Sequence, residues 1–328
     1  MSRIRHIGED EIISAIARNF PTNDDRVLKS IGDDTAATLQ KEDFALLSTT
    51  DILMEGVHFN LSYSSPYILG RKSVNISTSD IAAMGGTAKF LLMSIALPKE
   101  TTMDFINELY KGIKSACDES DVVLIGGNTS LSKDSVVINS TVLGEAPKDK
   151  VIYRSGAKPG DKIFVTGTMG DSALGLKLLA KGIQKGRPVE KHLNPTARLT
   201  EGKLLGEKAL ASAMADLSDG IVSDLNHICN ESKVGAEIFY DKLPLSDEMD
   251  KHLKDSPSDK ELPLSGGEDY ELIFTVPEDK LSTLESLRSS FTATLTEIGT
   301  ITDKENGIKF LDNNSKEITV KTKGFKHF

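Results

Sequence analysis

The 328-residue chain has only two cysteines, Cys117 and Cys229, and neither lies in a C-x-x-C pair. Two isolated thiols make no disulfide framework, so a reducing, cytoplasmic setting is expected. No dense Lys/Arg run occurs, and 49 acidic residues outnumber 39 basic ones for a formal charge of −10. A surface of that sign repels polyanions, so neither nucleic acid nor an anionic membrane is an expected partner. The first residues, MSRIRHIGED, lack the apolar centre of a secretory leader. The most apolar stretch, residues 90–97, is too short to cross a bilayer and reads as a buried strand. Three catalytic signatures are also missing. Without G-x-x-x-x-G-K-S/T the chain is not a P-loop enzyme, and Gly167-Thr168-Met169-Gly170 lacks dinucleotide-loop spacing. No G-x-S-x-G elbow supports a serine hydrolase.

What is present suits a folded, two-domain chain. Apolar residues make up 38% and charged residues 27%, enough for a buried core. Helical spacing of Ile12, Ile13, Ile16, Ala17 and Phe20 predicts a helix closed by Pro21. Gly32-Asp33-Asp34 is a turn, and residues 44–48 form a strand running into Thr49-Thr50-Asp51. Ser65-Pro66 predicts a helix start, a capping hydroxyl followed by proline, with the helix ending near Met84 at Gly85-Gly86. Strands are expected at 91–97, at 122–125 ending on Gly126-Gly127-Asn128, and at 136–143, with a helix over 102–119. A Lys/Pro/Gly-rich linker at 147–160 divides the chain into domains 1–147 and 148–328. Beyond it, a strand at 163–166 leads into a helix from Asp171, with helices near 196–213 and 220–231. Further strands fall at 237–240, 270–276 and 293–299, then a hairpin at 308–318. Mixed elements without strict alternation predict two α+β domains.

The chemistry lies in aspartates at element ends, beside glycine or hydroxyl residues: Asp33-Asp34, Asp51, Asp80, and Asp216 with Asp219, joined by Asn128. Carboxylates brought together need cations or protons between them, and oxygen donors without a Cys/His set favour Mg²⁺ over Zn²⁺. Several such ions can neutralise a triphosphate. An aspartate beside glycine is ordinarily a turn or cap residue, which suffices for Asp161 and Asp171. It explains Asp80 less well, since that acid stands among small and apolar neighbours where a charge must be paired or liganded. His58 reads either as a structural histidine or as a site residue. Ser265-Gly266-Gly267-Glu268 reads either as a plain loop or as backbone brought close to a ligand, with Glu268 aimed at a cation.

Together these segments resemble the thiamine-monophosphate kinase family, within the superfamily of aminoimidazole ribonucleotide synthetase. The resemblance runs in order along nearly the whole chain. It takes in Gly32-Asp33-Asp34, Thr49-Thr50-Asp51, Glu55-Gly56-Val57-His58-Phe59, Ser79-Asp80-Ile81-Ala82-Ala83-Met84-Gly85, Gly126-Gly127-Asn128 and residues 154–161. It continues through Asp216-Leu217-Ser218-Asp219-Gly220, residues 265–272 and Gly324-Phe325-Lys326-His327-Phe328. The resemblance implies a two-domain α/β fold whose N-terminal domain pairs its strands across a homodimer. It further implies magnesium-assisted transfer of a phosphoryl group from ATP to thiamine monophosphate at the domain cleft. Metal ligands would be Asp34, Thr49, Thr50, Asp51, Asp80, Asn128, Asp216 and Asp219, with Asp33 assisting. Asp51, Asp80, Asp219 and Arg154 would carry catalysis. Tyr110, Gly127, Asn128, Arg154 and Ser218 would contact ATP, and His58, Glu268 and Phe325 the substrate.

Two positions depart from the family pattern. Ser77 stands where an Asn is frequent, and Asn128 where an Asp is frequent, which predicts weaker hold on one metal. Selenophosphate synthetase would need a reactive cysteine near the N-terminus, and the hydrogenase maturation relative would end in cysteine. A metal-dependent phosphatase and a nucleotide-binding regulator without turnover are the readings from other classes.

Overall fold

A computed structural model of the chain describes residues 13–14, 16–18, 24–41 and 43–321. Two six-stranded sheets organise them. The first has the order β1(Val27–Lys29), β2(Ala36–Lys41), β3(Phe44–Met54), β6(Val137–Pro147), β4(Thr87–Leu97), β5(Val123–Leu131). All its pairs are antiparallel except β4 with β5. The second has the order β12(Ile308–Leu311), β9(Gly235–Phe239), β11(Leu295–Thr302), β7(Lys162–Thr166), β10(Leu272–Val276), β8(Ala213–Asp216).

Helix α1(Pro66–Ala83) starts where the sequence requires, with Ser65 accepting from the Ile68 N–H and Pro66 in the first turn. It is buried almost all round, and its small hydroxyl residues make that possible. Ser73 and Thr78 donate back to the Gly70 and Asn75 carbonyls, and Ser77 bonds Ser140 of β6 at 2.6 Å. Helix α2(Met103–Ser120), capped by Thr102, crosses α1 at two reciprocal notches. A Cβ on Gly70 would lie 2.1 Å from the Leu109 carbonyl oxygen, and one on Gly112 would lie 1.9 Å from that of Tyr67. Backbones touch there, which only glycine permits.

Both helices cover one face of the first sheet over a core that includes Leu47, Leu91, Met93, Leu109 and Ile138. The other face stays open and apolar, with Ile52, Met54, Phe90 and Leu92 exposed. The second sheet carries α6(Ile221–Ser232) over a core of Ile163, Val165, Leu225 and Ile273. A third cluster joins the halves, setting Ala82 and Ala83 of α1 against Leu205, Met214, Phe164 and Phe274. The last two rings stack at 5.6 Å. Between β7 and β8 run α3(Asp171–Ala180), α4(Arg187–Leu193) and α5(Leu199–Glu207).

Some expectations need correction. The helix expected over 196–213 is α5 alone, and its end is followed by β8, which pairs with β10. All four residues of β8 are buried, so no in–out alternation marks it. The strand expected to stop at Gly126 runs through Gly127 and Asn128, because parallel pairing with β4 continues to Leu131. The strand expected from Tyr270 starts at Leu272, since Tyr270 has φ +50 and cannot join the ladder. Of the helix expected over 12–20, the described residues 13–14 and 16–18 are helical.

Candidate active site

The strands and α1 deliver acids to one place. Alternation along β3 turns Thr49 and Asp51 toward α1 and Thr50 to the opposite face. Asp80 lies in the last turn of α1, Asp216 ends β8, and Asp33-Asp34 form the bend before β2. Carboxylate oxygens of Asp34, Asp80 and Asp216 lie within 4.8 Å of one another. Thr49 Oγ1 donates to Asp80, and Ser79 Oγ donates to Asp216 at 2.6 Å. Asp51 Oδ2 is buried without a hydrogen-bond partner among the described residues.

So many acids perturb one another. Burial, then the charges of Asp51, Asp216 and Asp34, push the Asp80 carboxyl well above its ordinary value. Burial and Asp34 raise Asp216 to about 8, against relief from the Ser79 hydroxyl. Asp33 rises to about 6 through burial and Asp34, with Lys29 and Arg154 opposing, and burial raises Asp51. Hard oxygen donors converging from three elements, one of them an orphaned buried carboxylate oxygen, fit divalent cations such as Mg²⁺.

Arg154 is the cation built into this cluster. Its Nη2 and Nε reach the two Asp34 oxygens at 2.8 and 3.3 Å, and its backbone N–H donates to Asp33. Burial works against the guanidinium charge, but Asp34 outweighs it and the pKa is raised. Ser232 at the end of α6 steadies the segment: its Oγ accepts from the Gly156 and Ala157 N–H groups and donates to the Arg154 carbonyl. Asp224, in the first turn of α6, accepts from the Asp219 and Gly220 N–H groups and so fixes the Asp219 turn. Asp161 and Asp171 keep structural partners, Ser212 and Ser246.

The cluster borders a cleft of about 1910 Å³ lined by Asp51, His58, Tyr63, Ser218, Asp219 and Glu268, among others. Glu268 and Tyr270 both hold positive φ, +64 and +50, at a cost on the order of 1–3 kcal/mol each. The loop that holds them is heavily braced. The Glu268 and Tyr270 N–H groups donate to the Ser218 and Leu217 carbonyls. Asp269 accepts from the Gly170 and Ser172 N–H groups at the start of α3. Glu271 takes Arg198 through both oxygens, with Lys191 and Thr166. Glu268 meets Lys72 at 3.1 Å and His192 at 3.2 Å. His58 Nδ1 accepts from the Met54 N–H, and its charge acts on Glu268.

Not every candidate gathers there. Tyr110, Gly127 and Asn128 line a separate hollow of about 570 Å³ at the β5 edge. Thr50 faces away from α1, bonding Thr141 and the Ser140 carbonyl, and lines the cleft without joining the acid cluster. Phe325 lies outside the described residues. Sequence reasoning missed Lys72, His192, Asp224 and Ser232. Only Lys72 left a local signal, a lysine within a helix of small and apolar residues.

Two sheets meeting at an acidic cleft define the AIR synthase related class. Its N-terminal domain family matches residues 32–146 and its C-terminal domain family residues 158–311. Within that class the chain belongs to the thiamine-monophosphate kinase family. It is 38% identical to the thiamine-monophosphate kinase of Buchnera aphidicola subsp. Acyrthosiphon pisum, covering 98% of each chain. It is 36% identical to that of Aquifex aeolicus, covering 99% of this chain and 100% of the other. A solved structure described as AaThiL complexed with AMPPCP and TMP superposes with TM-score 0.87 at 35% identity, over 100% of this chain and 99% of that one.

Proposed function

We propose that the protein transfers the terminal phosphoryl group of ATP to thiamine monophosphate, giving thiamine diphosphate and ADP. The bond from the terminal phosphorus to its bridging oxygen breaks, and a bond to an oxygen of the acceptor phosphate forms. One observation carries the reading: acids from both halves of the chain converge, against repulsion, beside the half-buried Arg154 and an open cleft. The named relatives and the complex with an ATP analogue support it.

Asp34, Thr49, Thr50, Asp51, Asp80, Asn128, Asp216 and Asp219, assisted by Asp33, would hold magnesium ions. Bound there, magnesium supplies positive charge between phosphate oxygens and aligns them. Arg154 offers a fork of donors to a phosphate, already oriented by Asp34. Ser218 would contact ATP, and Tyr110, Gly127 and Asn128 would take another part of it. His58, Glu268 and Phe325 take thiamine monophosphate. The acceptor phosphate is largely ionised near neutral pH, so no general base is required. The cleft needs only to bring two anions together in line, by neutralisation and positioning.

The division into domains 1–147 and 148–328 fits this scheme, since each sheet is built from one side of the boundary. A homodimer would cover the open apolar face of the first sheet. No helix among the described residues is long and apolar enough to cross a membrane. The test is product analysis by mass after incubation with ATP, Mg²⁺ and thiamine monophosphate. Thiamine diphosphate should form in equal amount with ADP. Equal ADP release with and without thiamine monophosphate would replace the kinase by a phosphatase.

A further inference from the structure

Glu268 sits between two environments. Behind it lies the Lys72 ammonium, whose side chain is 4% exposed and whose Nζ lies 3.1 Å from Oε1 and 3.2 Å from Oε2. In front lies the cleft, to which the Glu268 side chain is 26% exposed. His192, 4% exposed, approaches Oε2 at 3.2 Å and also meets Ser172 Oγ at 3.0 Å. Burial and Lys72 lower His192 to about 4, so this histidine is neutral near pH 7 and brings no full charge to Glu268. The close charge partner of Glu268 is therefore Lys72, and an ammonium without its carboxylate would be costly to bury.

We propose that Lys72 is a positioning residue of the thiamine-monophosphate subsite, its buried ammonium gripping both oxygens of Glu268 from behind so that the carboxylate faces the organic end of the substrate. The proposal rests on the kinase reading above. Lys72 lies on α1 with Ile76, which lines the cleft, and with Asp80. Eight residues of helix separate Lys72 from Asp80 by about 12 Å. One helix thus serves the phosphate end of the substrate through Asp80 and the ring end through Lys72 and Glu268. Burial pushes the Glu268 carboxyl up, but Lys72, by charge and hydrogen bond, leads the opposing interactions that hold it below the ordinary value, in keeping with a carboxylate kept ionised beside a cationic ring.

The experiment measures thiamine-monophosphate binding by calorimetry, and steady-state KM for both substrates, in wild type, Lys72→Met, Lys72→Arg, Glu268→Gln and the Lys72→Met/Glu268→Gln pair. Lys72→Met should weaken thiamine-monophosphate binding by about tenfold to hundredfold and leave the ATP KM within a few-fold of wild type. The double variant should bind no more weakly than Glu268→Gln alone, because Lys72 acts through Glu268. Lys72→Arg keeps the charge and should retain most of the binding, which serves if Lys72→Met does not fold. Unchanged binding in Lys72→Met, additive losses in the pair, or equal rises in both KM values would overturn the role of Lys72. A wild-type protein that does not bind thiamine monophosphate at all would overturn the kinase reading instead.

Discussion

Replacing Asp80 by Asn should make the metal-free protein more stable while removing most of its activity. Asp80 is crowded by Asp51, Asp216 and Asp34, and all of these charges oppose folding when no cation stands between them. The folded protein keeps protons that the unfolded chain releases near pH 4. Above that pH the folded state binds more protons than the unfolded one, so stability falls as pH rises through the raised values. For Asp216, the distance from 3.8 to about 8 corresponds to about 6 kcal/mol for an isolated group. Coupled acids share that penalty, so deleting one charge should recover about 2–3 kcal/mol at alkaline pH. In a chain of this length that is a rise of about 3–4 °C in Tm. Scanning calorimetry in EDTA, from about pH 5.5 to about pH 8.5, should show wild type losing stability and Asp80→Asn losing less. Excess Mg²⁺ should raise the wild-type Tm more than that of the variant. The reasoning fails if wild type gains stability across that range in EDTA, or if the variant is no more stable at the alkaline end.

Three further perturbations reach other parts of the site. Arg154→Ala should lower kcat by about 10²–10³ with a smaller change in thermal stability, read by steady-state kinetics beside circular dichroism. Gly127→Ala places a Cβ 1.8 Å from the Met93 carbonyl oxygen. It should raise the ATP KM by about tenfold or more while sparing that for thiamine monophosphate, as it spreads β5 from β4 beside Tyr110. Leu92→Glu on the open face of the first sheet should shift sedimentation from dimer toward monomer, whereas an unchanged dimer would move the interface elsewhere.

How much of this was legible depended on whether the signal was local. The start of α1 is written in two adjacent residues, Ser65 and Pro66, whose physics does not wait for tertiary contacts. Asp34, Asp51, Asp80 and Asp216 were legible because each stands beside glycine, hydroxyl or small residues in a local pattern, although Asp51 lies within β3 rather than at its end. Strand β8 was not legible, since four residues buried on both faces show no period and no glycine separates them from α5. The pairing of Lys72 with Glu268 spans 196 positions and exists only once α1 lies against the loop after α8(Leu262–Ser265). The placing of Tyr110, Gly127 and Asn128 apart from the acids reflects strand order: β5 is an edge strand, and sequence proximity says nothing of that.

The glycine notches between α1 and α2 bear on how such a chain can diverge. Helix α1 is pinned at Gly70 by the Leu109 carbonyl and cannot slide along its axis without a backbone collision. Lys72 and Asp80 then act as two graduations on a fixed rule. Substitutions along α1 would leave the rule intact, but inserting or deleting one residue between them would swing one mark about 100° around the axis relative to the other. Among descendants of this sequence, the residues between Lys72 and Ser79 should therefore drift in identity while their number stays constant, whereas the loops at either end are free to lengthen.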